Sequence, residues 1–300
     1  HRSGHSFPTR RSSDLTNQPV NNVSTCTTFY SKRNQKFLIN YFEEYDYLMK
    51  PNLRILLAQL NPTVGALKKN TESLLNTYQE AKQKKVDLVA FPEMFLTGYQ
   101  IQDLILKPSF QKDVANHLKM LARECSGKTS ILFGSPILDG DKLYNAYLLI
   151  KGGEFNIITK KKHLPNLDIF DEHRYFESGD IANVFEIKGV SIGCPICEDI
   201  WHDDVTKTLK SKGADLLLSP NGSPYERGKI LLRRNVVRER CLETNVPIIY
   251  LNLVGGQDDQ VFDGGSFLMS KNGDVKVQLP QFEEKKLVLD LGIKENSVDS

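Results

Sequence analysis

From Leu53 to Leu289 the chain alternates short apolar runs with longer segments of helical character, and this alternation limits it to few folds. The runs read as strands are Arg54–Leu60, Leu88–Phe91, Ser130–Gly134, Tyr144–Ile150, Asn156–Thr159, Val184–Cys194, Asp215–Ser219, Ile248–Val254, Gly265–Ser270, Val275–Gln278 and Lys286–Leu289. They are rich in Val, Ile, Leu and Tyr, which fit a pleated, half-buried surface. The segments read as helices are Leu67–Lys84, Ser109–Cys125, Val205–Ser211 and Tyr225–Thr244; Val114, Leu118 and Leu121 in the second recur at helical spacing. Lys271-Asn272-Gly273-Asp274 carries the signal of a hairpin turn. Single helices set among several strands predict an α/β architecture of layers with much sheet in the middle. No linker or internal repeat interrupts residues 49–290, which read as one domain.

The ends differ from this body. Residues 1–48 do not resemble it: His1–Leu15 is Arg/Ser-rich and lacks hydrophobic period, and Ser6–Leu15 resembles translated sequencing-adapter sequence. They read as a non-native or disordered leader, with a native start expected at Met49. Residues 291–300 are polar and aperiodic and read as a linker or a cut end. The leader also carries the charge asymmetry. The net charge of +2 arises from its six Lys/Arg against four Asp/Glu, and the remaining residues are balanced. A neutral body gives no electrostatic argument for nucleic acid or an anionic membrane, and no apolar run is long enough to span a bilayer. Five cysteines, an odd and sparse count, do not read as a disulfide framework, so a reduced, cytoplasmic setting is expected.

Three separated segments carry chemistry. Leu88-Val89-Ala90-Phe91-Pro92-Glu93 places a carboxylate just past an apolar strand. Pro92 ends the ladder, so Glu93 is set at a strand mouth, where desolvation would raise its pKa toward that of a general base. A helix-start or capping glutamate is the alternative. Lys160-Lys161-Lys162 follows a strand, and neighbours on a strand face opposite ways, so one or two of the three point inward; a solvated lysine run is the alternative. The stretch after it, His163 to Phe176, is dense in polar and aromatic residues and reads as a site-forming loop. Cys197 follows the apolar run ending at Cys194. The Cys194-x-x-Cys197 spacing admits a redox pair, but Glu198 and Asp199 follow at once, and carboxylates oppose a thiolate. A buried structural thiol is also open. A zinc site would need more ligands than this one pair supplies, and no metal is expected. The Gly222–Gly228 segment followed by Lys229-Ile230 fails as a phosphate loop, in glycine spacing and in the missing Ser/Thr.

Taken together, Gln59–Gly65, Phe91–Tyr99, Lys161–Phe176, Cys197–Trp201, Ser219–Tyr225, Val254–Asp258 and Val261–Ser266 resemble the nitrilase superfamily of carbon–nitrogen hydrolases. They are most similar to its glutamine amidotransferase branch, the domains that serve glutamine-dependent NAD synthetases. The resemblance implies a four-layer α-β-β-α sandwich and a catalytic triad of Glu93, Lys161 and Cys197. Lys161 is selected over its neighbours because the family's lysine stands three residues before the Leu of Leu164-Pro165. Glu172 matches a second active-site glutamate, the N–H of Glu198 an oxyanion donor, and Ser223 and Lys229 positions that hold the amino-acid end of glutamine. Leu167 stands where the family often has a pocket tyrosine. The implied reaction is hydrolysis of glutamine to glutamate and ammonia through a cysteine thioester, without a cofactor. ATP, Mg and deamido-NAD would belong to a synthetase domain beyond this chain, and homo-oligomers are expected. A stand-alone nitrilase-like amidase acting on another small amide, and a redox protein using Cys194 and Cys197, are the competing readings.

Overall fold

The structure, a computed structural model, describes residues 51–166 and 170–292. The leader and Leu167 lie outside the described residues.

Two six-stranded sheets form the centre, and they share one topology. In the first, β1 (Pro51–Gln59), β2 (Leu88–Ala90) and β3 (Ser130–Asp139) run parallel, linked by helices α1 (Leu67–Gln83) and α2 (Pro108–Glu124). β4 (Lys142–Lys151) and β5 (Glu154–Lys160) extend it antiparallel beyond β3. In the second sheet, β6 (Phe185–Ile187) lies antiparallel on one side of the parallel strands β7 (Val190–Gly193), β8 (Leu216–Asn221) and β9 (Ile248–Asn252). Helices α3 (Asp203–Ser211) and α4 (Lys229–Thr244) link those strands. A two-stranded hairpin, β10 (Val254–Gln257) and β11 (Gln260–Asp263), follows. β12 (Phe267–Met269) and β13 (Val275–Gln278) then extend the second sheet beyond β9. The last strand, β14 (Lys285–Gly292), returns to the first sheet and pairs antiparallel with β1.

Period two along the strands sorts side chains into cores. Leu53, Ile55 and Leu57 of β1 meet Ile192, Leu216, Leu218 and Ile249 between the two sheets. Leu56 and Ala58, pointing the other way, pack with Leu74, Tyr78, Val114 and Leu118 of α1 and α2. On the far side, Leu217, Ile248 and Tyr250 pack with Val205, Leu209, Val237 and Cys241 of α3 and α4. Three cores separate four layers, giving the α-β-β-α sandwich. Each fully buried Leu or Ile contributes about 1.5–3 kcal/mol, so the frame beneath the strand-end loops is rigid.

Of the boundaries that differ from the sequence reading, three have a clear local cause. The run Val184–Cys194 is a hairpin rather than one strand, because Lys188 and Gly189 both take positive φ (52° and 78°). That combination matches the twist of a two-residue hairpin turn. The run Ile248–Val254 splits at Leu253, and its continuation forms the β10–β11 hairpin. The segment Tyr225–Thr244 becomes helical only at Lys229, after left-handed Gly228.

Candidate active site

The chemistry sits where strands of both sheets end. β2 ends at Ala90, and the following turn carries Glu93 across Gly134 of β3. A Cβ on Gly134 would lie 2.0 Å from the Met94 nitrogen, so only glycine lets the turn pass. Lys161 follows the last residue of β5; its N–H donates to the Asn145 carbonyl of β4 and its own carbonyl accepts from Gly179 N–H, both at 2.8 Å. Cys197 opens a short 3-10 turn, Cys197–Trp201, three residues after Cys194 and just past β7. Its φ is +45°, a left-handed conformation uncommon for a residue that carries a side chain.

Glu93 and Lys161 are both fully buried, and they are paired. Lys161 Nζ donates to Glu93 Oε1 at 2.8 Å and to Glu172 Oε1 at 2.9 Å. Glu93 Oε1 also accepts from Asn145 Nδ2 at 2.8 Å, and Oε2 accepts the Gly222 backbone N–H at 2.7 Å. Gly222 follows β8, so the Glu93 carboxylate receives a donor from the opposite sheet. Glu172, in a 3-10 turn after the loop, accepts the Tyr99 hydroxyl at 2.8 Å. Its second oxygen has no partner among the described residues, and the side chain borders a small cavity with Tyr99, Ile101, Tyr175 and Phe176. Gly222 is also held by contact: a Cβ there would lie 2.6 Å from the Tyr99 ring.

The electrostatics follow from the burial. Desolvation alone would lower the Lys161 pKa, but Glu172 and Glu93 beside it hold the ammonium well above the usual lysine range. Burial raises Glu172, and the neighbouring Glu93 charge adds to this, against the pull of Lys161. Burial, reinforced by Glu93, pushes the Cys197 thiol well above its ordinary value, against Lys161 and the Gly222 N–H. The thiol therefore rests protonated and needs a base. That is opposite to the lowered pKa of a redox Cys-x-x-Cys nucleophile. Cys194 is raised by burial alone, and among the described residues all four cysteines are free.

The remaining expected residues are placed as follows. Glu198, the second residue of the thiol turn, points its carboxylate toward His202 Nε2 at 3.5 Å. Ser223 is buried and spent on the loop's own bracing. Its N–H donates to Asn252 Oδ1 at 2.9 Å, its hydroxyl accepts from Arg233 Nε at 3.1 Å, and its carbonyl accepts from Arg233 Nη2 at 2.9 Å. The Lys229 ammonium is paired with Glu226. Arg233 itself is buried on α4 and ion-paired to Asp263 at 2.7 Å, fixing the 222–224 loop. Asn145, Tyr99, Gly222 and Arg233 carried no role in the sequence reading. Asn145 had a visible signal, a lone amide inside an apolar strand. The backbone N–H of Gly222 had none.

A protonated thiol at a strand end, beside a buried acid–lysine–acid cluster, is equipment for nucleophilic attack on a polarised carbonyl carbon. The chain belongs to the carbon–nitrogen hydrolase family, whose sequence model matches residues 54–296. It is 48% identical over 243 residues to a glutamine-dependent NAD(+) synthetase of Rhodobacter capsulatus, an alignment covering 81% of this chain and 44% of that protein. A glutamine-dependent NAD+ synthetase structure from Acinetobacter baumannii superposes with TM-score 0.74 at 34% identity, covering 79% of this chain and 45% of that one. An amidase of the nitrilase superfamily from Nesterenkonia AN1 shares the fold, with TM-score 0.71 at 22% identity, covering 81% of this chain and 91% of that one. The chain thus spans about 45% of the length of the curated synthetases it matches. Among the described residues, no helix is long and apolar enough to cross a membrane.

Proposed function

We propose that this chain hydrolyses the side-chain amide of glutamine, with Cys197 as nucleophile, Glu93 as base and Lys161 as electrophilic stabiliser. The observation that carries the reading is the Glu93–Lys161–Glu172 chain of contacts, at 2.8 and 2.9 Å in a buried setting, near enough to Cys197 to influence its thiol. Glu93 takes the thiol proton as the sulfur attacks the amide carbon. Charge then builds on the carbonyl oxygen, where the Lys161 ammonium and the Glu198 N–H stabilise it. Glu93 returns the proton to the departing nitrogen. Ammonia leaves and a γ-glutamyl thioester remains. Water, deprotonated by Glu93, attacks the thioester; glutamate departs and the proton returns to sulfur. The unpartnered oxygen of Glu172 is available to accept an N–H of the bound amide. No step in this scheme calls for a metal or an organic cofactor.

Glutamine is favoured over other amides by the kinship to glutamine-dependent synthetases at 48% and 34% identity. On the same ground the ammonia would serve ATP- and Mg-dependent amidation of deamido-NAD, by a region of the longer proteins that this chain does not span. The glycine-flanked segment 222–229 does not form such a nucleotide site. The segment 222–229 spends the Gly222 N–H on Glu93 and the Ser223 hydroxyl on Arg233. Leu231, Leu232 and Leu242 stand exposed on α4 and support the expectation of homo-oligomers. With Ser223 and Lys229 engaged locally, their roles at the amino-acid end of glutamine require those bonds to exchange on binding. The test is glutamate release from glutamine by the purified chain. Cys197→Ala is expected to abolish it, and undiminished turnover in that variant would refute the assignment.

A further inference from the structure

Asp199 lies two residues past the nucleophile and is 1% exposed. Its carboxylate accepts backbone N–H groups from two separate segments. Oδ2 accepts from Ile196, the residue before Cys197, at 3.0 Å. Oδ1 accepts from Lys162 at 3.1 Å and His163 at 2.8 Å, the two residues after Lys161. The Asp199 N–H closes the same turn by donating to the Ile196 carbonyl at 2.9 Å. Burial pushes its carboxyl up to about 7 despite these three donors, so desolvation of the charge is the largest influence on it. A buried charge held against that cost is placed there by the fold for what it joins.

From this geometry we infer that Asp199 is a positioning residue that fixes the spacing between Cys197 and Lys161, by joining the nucleophile's turn to the lysine's turn. Cys197 is held at φ +45°, which its own residue type disfavours, so the turn needs an external restraint. Lys161 is restrained on its other side by Asn145 and Gly179, which leaves the junction at residues 162 and 163 as the link to the sulfur's segment. The inference rests on the reading that Cys197 and Lys161 perform the chemistry. An amide in place of the carboxylate is informative because it cannot serve both turns. If its oxygen accepts from Lys162 and His163, its NH2 meets the Ile196 N–H donor to donor; turned over, it breaks the other arm.

The experiment compares wild type, Asp199→Asn and Asp199→Glu for glutamine hydrolysis and for alkylation of Cys197 by iodoacetamide, read by peptide mass mapping. For Asp199→Asn, kcat is expected to fall about 100-fold with KM within about threefold, and Cys197 alkylation to slow about tenfold, the scale of an ångström-level misplacement. Asp199→Glu keeps both oxygens and is expected to recover part of both losses. Unchanged kcat and unchanged alkylation in folded Asp199→Asn would overturn the inference. So would a kcat loss no larger than the unfolded fraction measured by circular dichroism. Should Asp199→Asn not fold, the same two readouts on Asp199→Glu decide: wild-type kcat and alkylation together would overturn the inference, and reduced values of both would support it. If wild type releases no glutamate from glutamine, the functional reading fails, while the alkylation comparison still decides the role of Asp199.

Discussion

The two sheets have the same topology, yet they supply different parts of the site. In each, three parallel strands linked by two helices are flanked by antiparallel strands in the same order. The turn after β2 in the first sheet carries Glu93; its counterpart after β8 in the second carries Gly222. These equivalent positions meet, with the Gly222 N–H on the Glu93 carboxylate at 2.7 Å. The first sheet adds Lys161 after β5, and the second adds Cys197 after β7. One half thus provides two carboxylates and the ammonium between them, and the other provides the sulfur and the Gly222 backbone donor. Strand topology sets where loops converge, outside the carboxyl ends of parallel strands. The side chains placed there decide what each half does.

Beyond the loss expected of Cys197→Ala, variants on either side test this division, beginning with the first sheet. Glu93→Gln removes the proton acceptor while keeping its shape, and about a 100- to 10,000-fold loss of glutaminase kcat is expected for a missing general base. A loss of less than about tenfold would place the base elsewhere. Lys161→Met should cost about 100- to 1,000-fold, the range for one lost donor to a developing oxyanion. It also leaves Glu93 and Glu172 as unshielded neighbours, so a shifted pH–rate profile should accompany the loss.

On the second sheet, Gly222→Ala forces a Cβ to 2.6 Å from the Tyr99 ring. The ring or the loop must move, and a displacement on the order of an ångström at the base's donor predicts about a 100-fold loss in kcat/KM. Wild-type kinetics would show that the contact between the two halves is not needed for turnover. Asp199, the joint between the thiol and lysine turns, offers a gentler readout in stability against pH. Its folded pKa of about 7 lies above the ordinary 3.8, so the folded protein binds more protons than the unfolded chain between those values. Its contribution to stability therefore falls as pH rises through that window, by up to about 4 kcal/mol. Asp199→Asn should flatten the midpoint-versus-pH curve from about pH 4 to 7 relative to wild type. An unchanged slope would mean that the carboxyl does not titrate there. Cys194→Ala is the smallest change. Cys194 lies in the inter-sheet core and its thiol is shifted by burial alone, so kcat should stay within about twofold, with a stability loss of about 1 kcal/mol for a small buried side chain. A large kcat loss would reopen the redox reading.

The helices and most strands were legible in the sequence because periodicity is local. Val114, Leu118 and Leu121 lie on one buried face of α2, as their spacing requires. The hairpin inside Val184–Cys194 was not legible. Lys188-Gly189 interrupts an otherwise apolar run by only two residues, and only pairing with β7 defines the turn. The common topology of the two sheets was hidden for a related reason. No internal repeat marks it, since layer order depends on which faces are apolar and not on residue identity.

What the sequence determined by itself was an α/β body, the placement of Glu93 and Cys197 just past apolar strands, and their order around Lys161. Pattern carries this because burial of one face is written in every second or every third to fourth residue. What only the tertiary structure decided was the convergence: Lys161 between two glutamates, the Gly222 N–H on Glu93, and Arg233 and Asp199 locking loops from distant segments. Those contacts join residues up to 129 positions apart, and many of their donors are backbone N–H groups. Every residue but proline carries such a group, so no spelling of the chain marks the one that will matter.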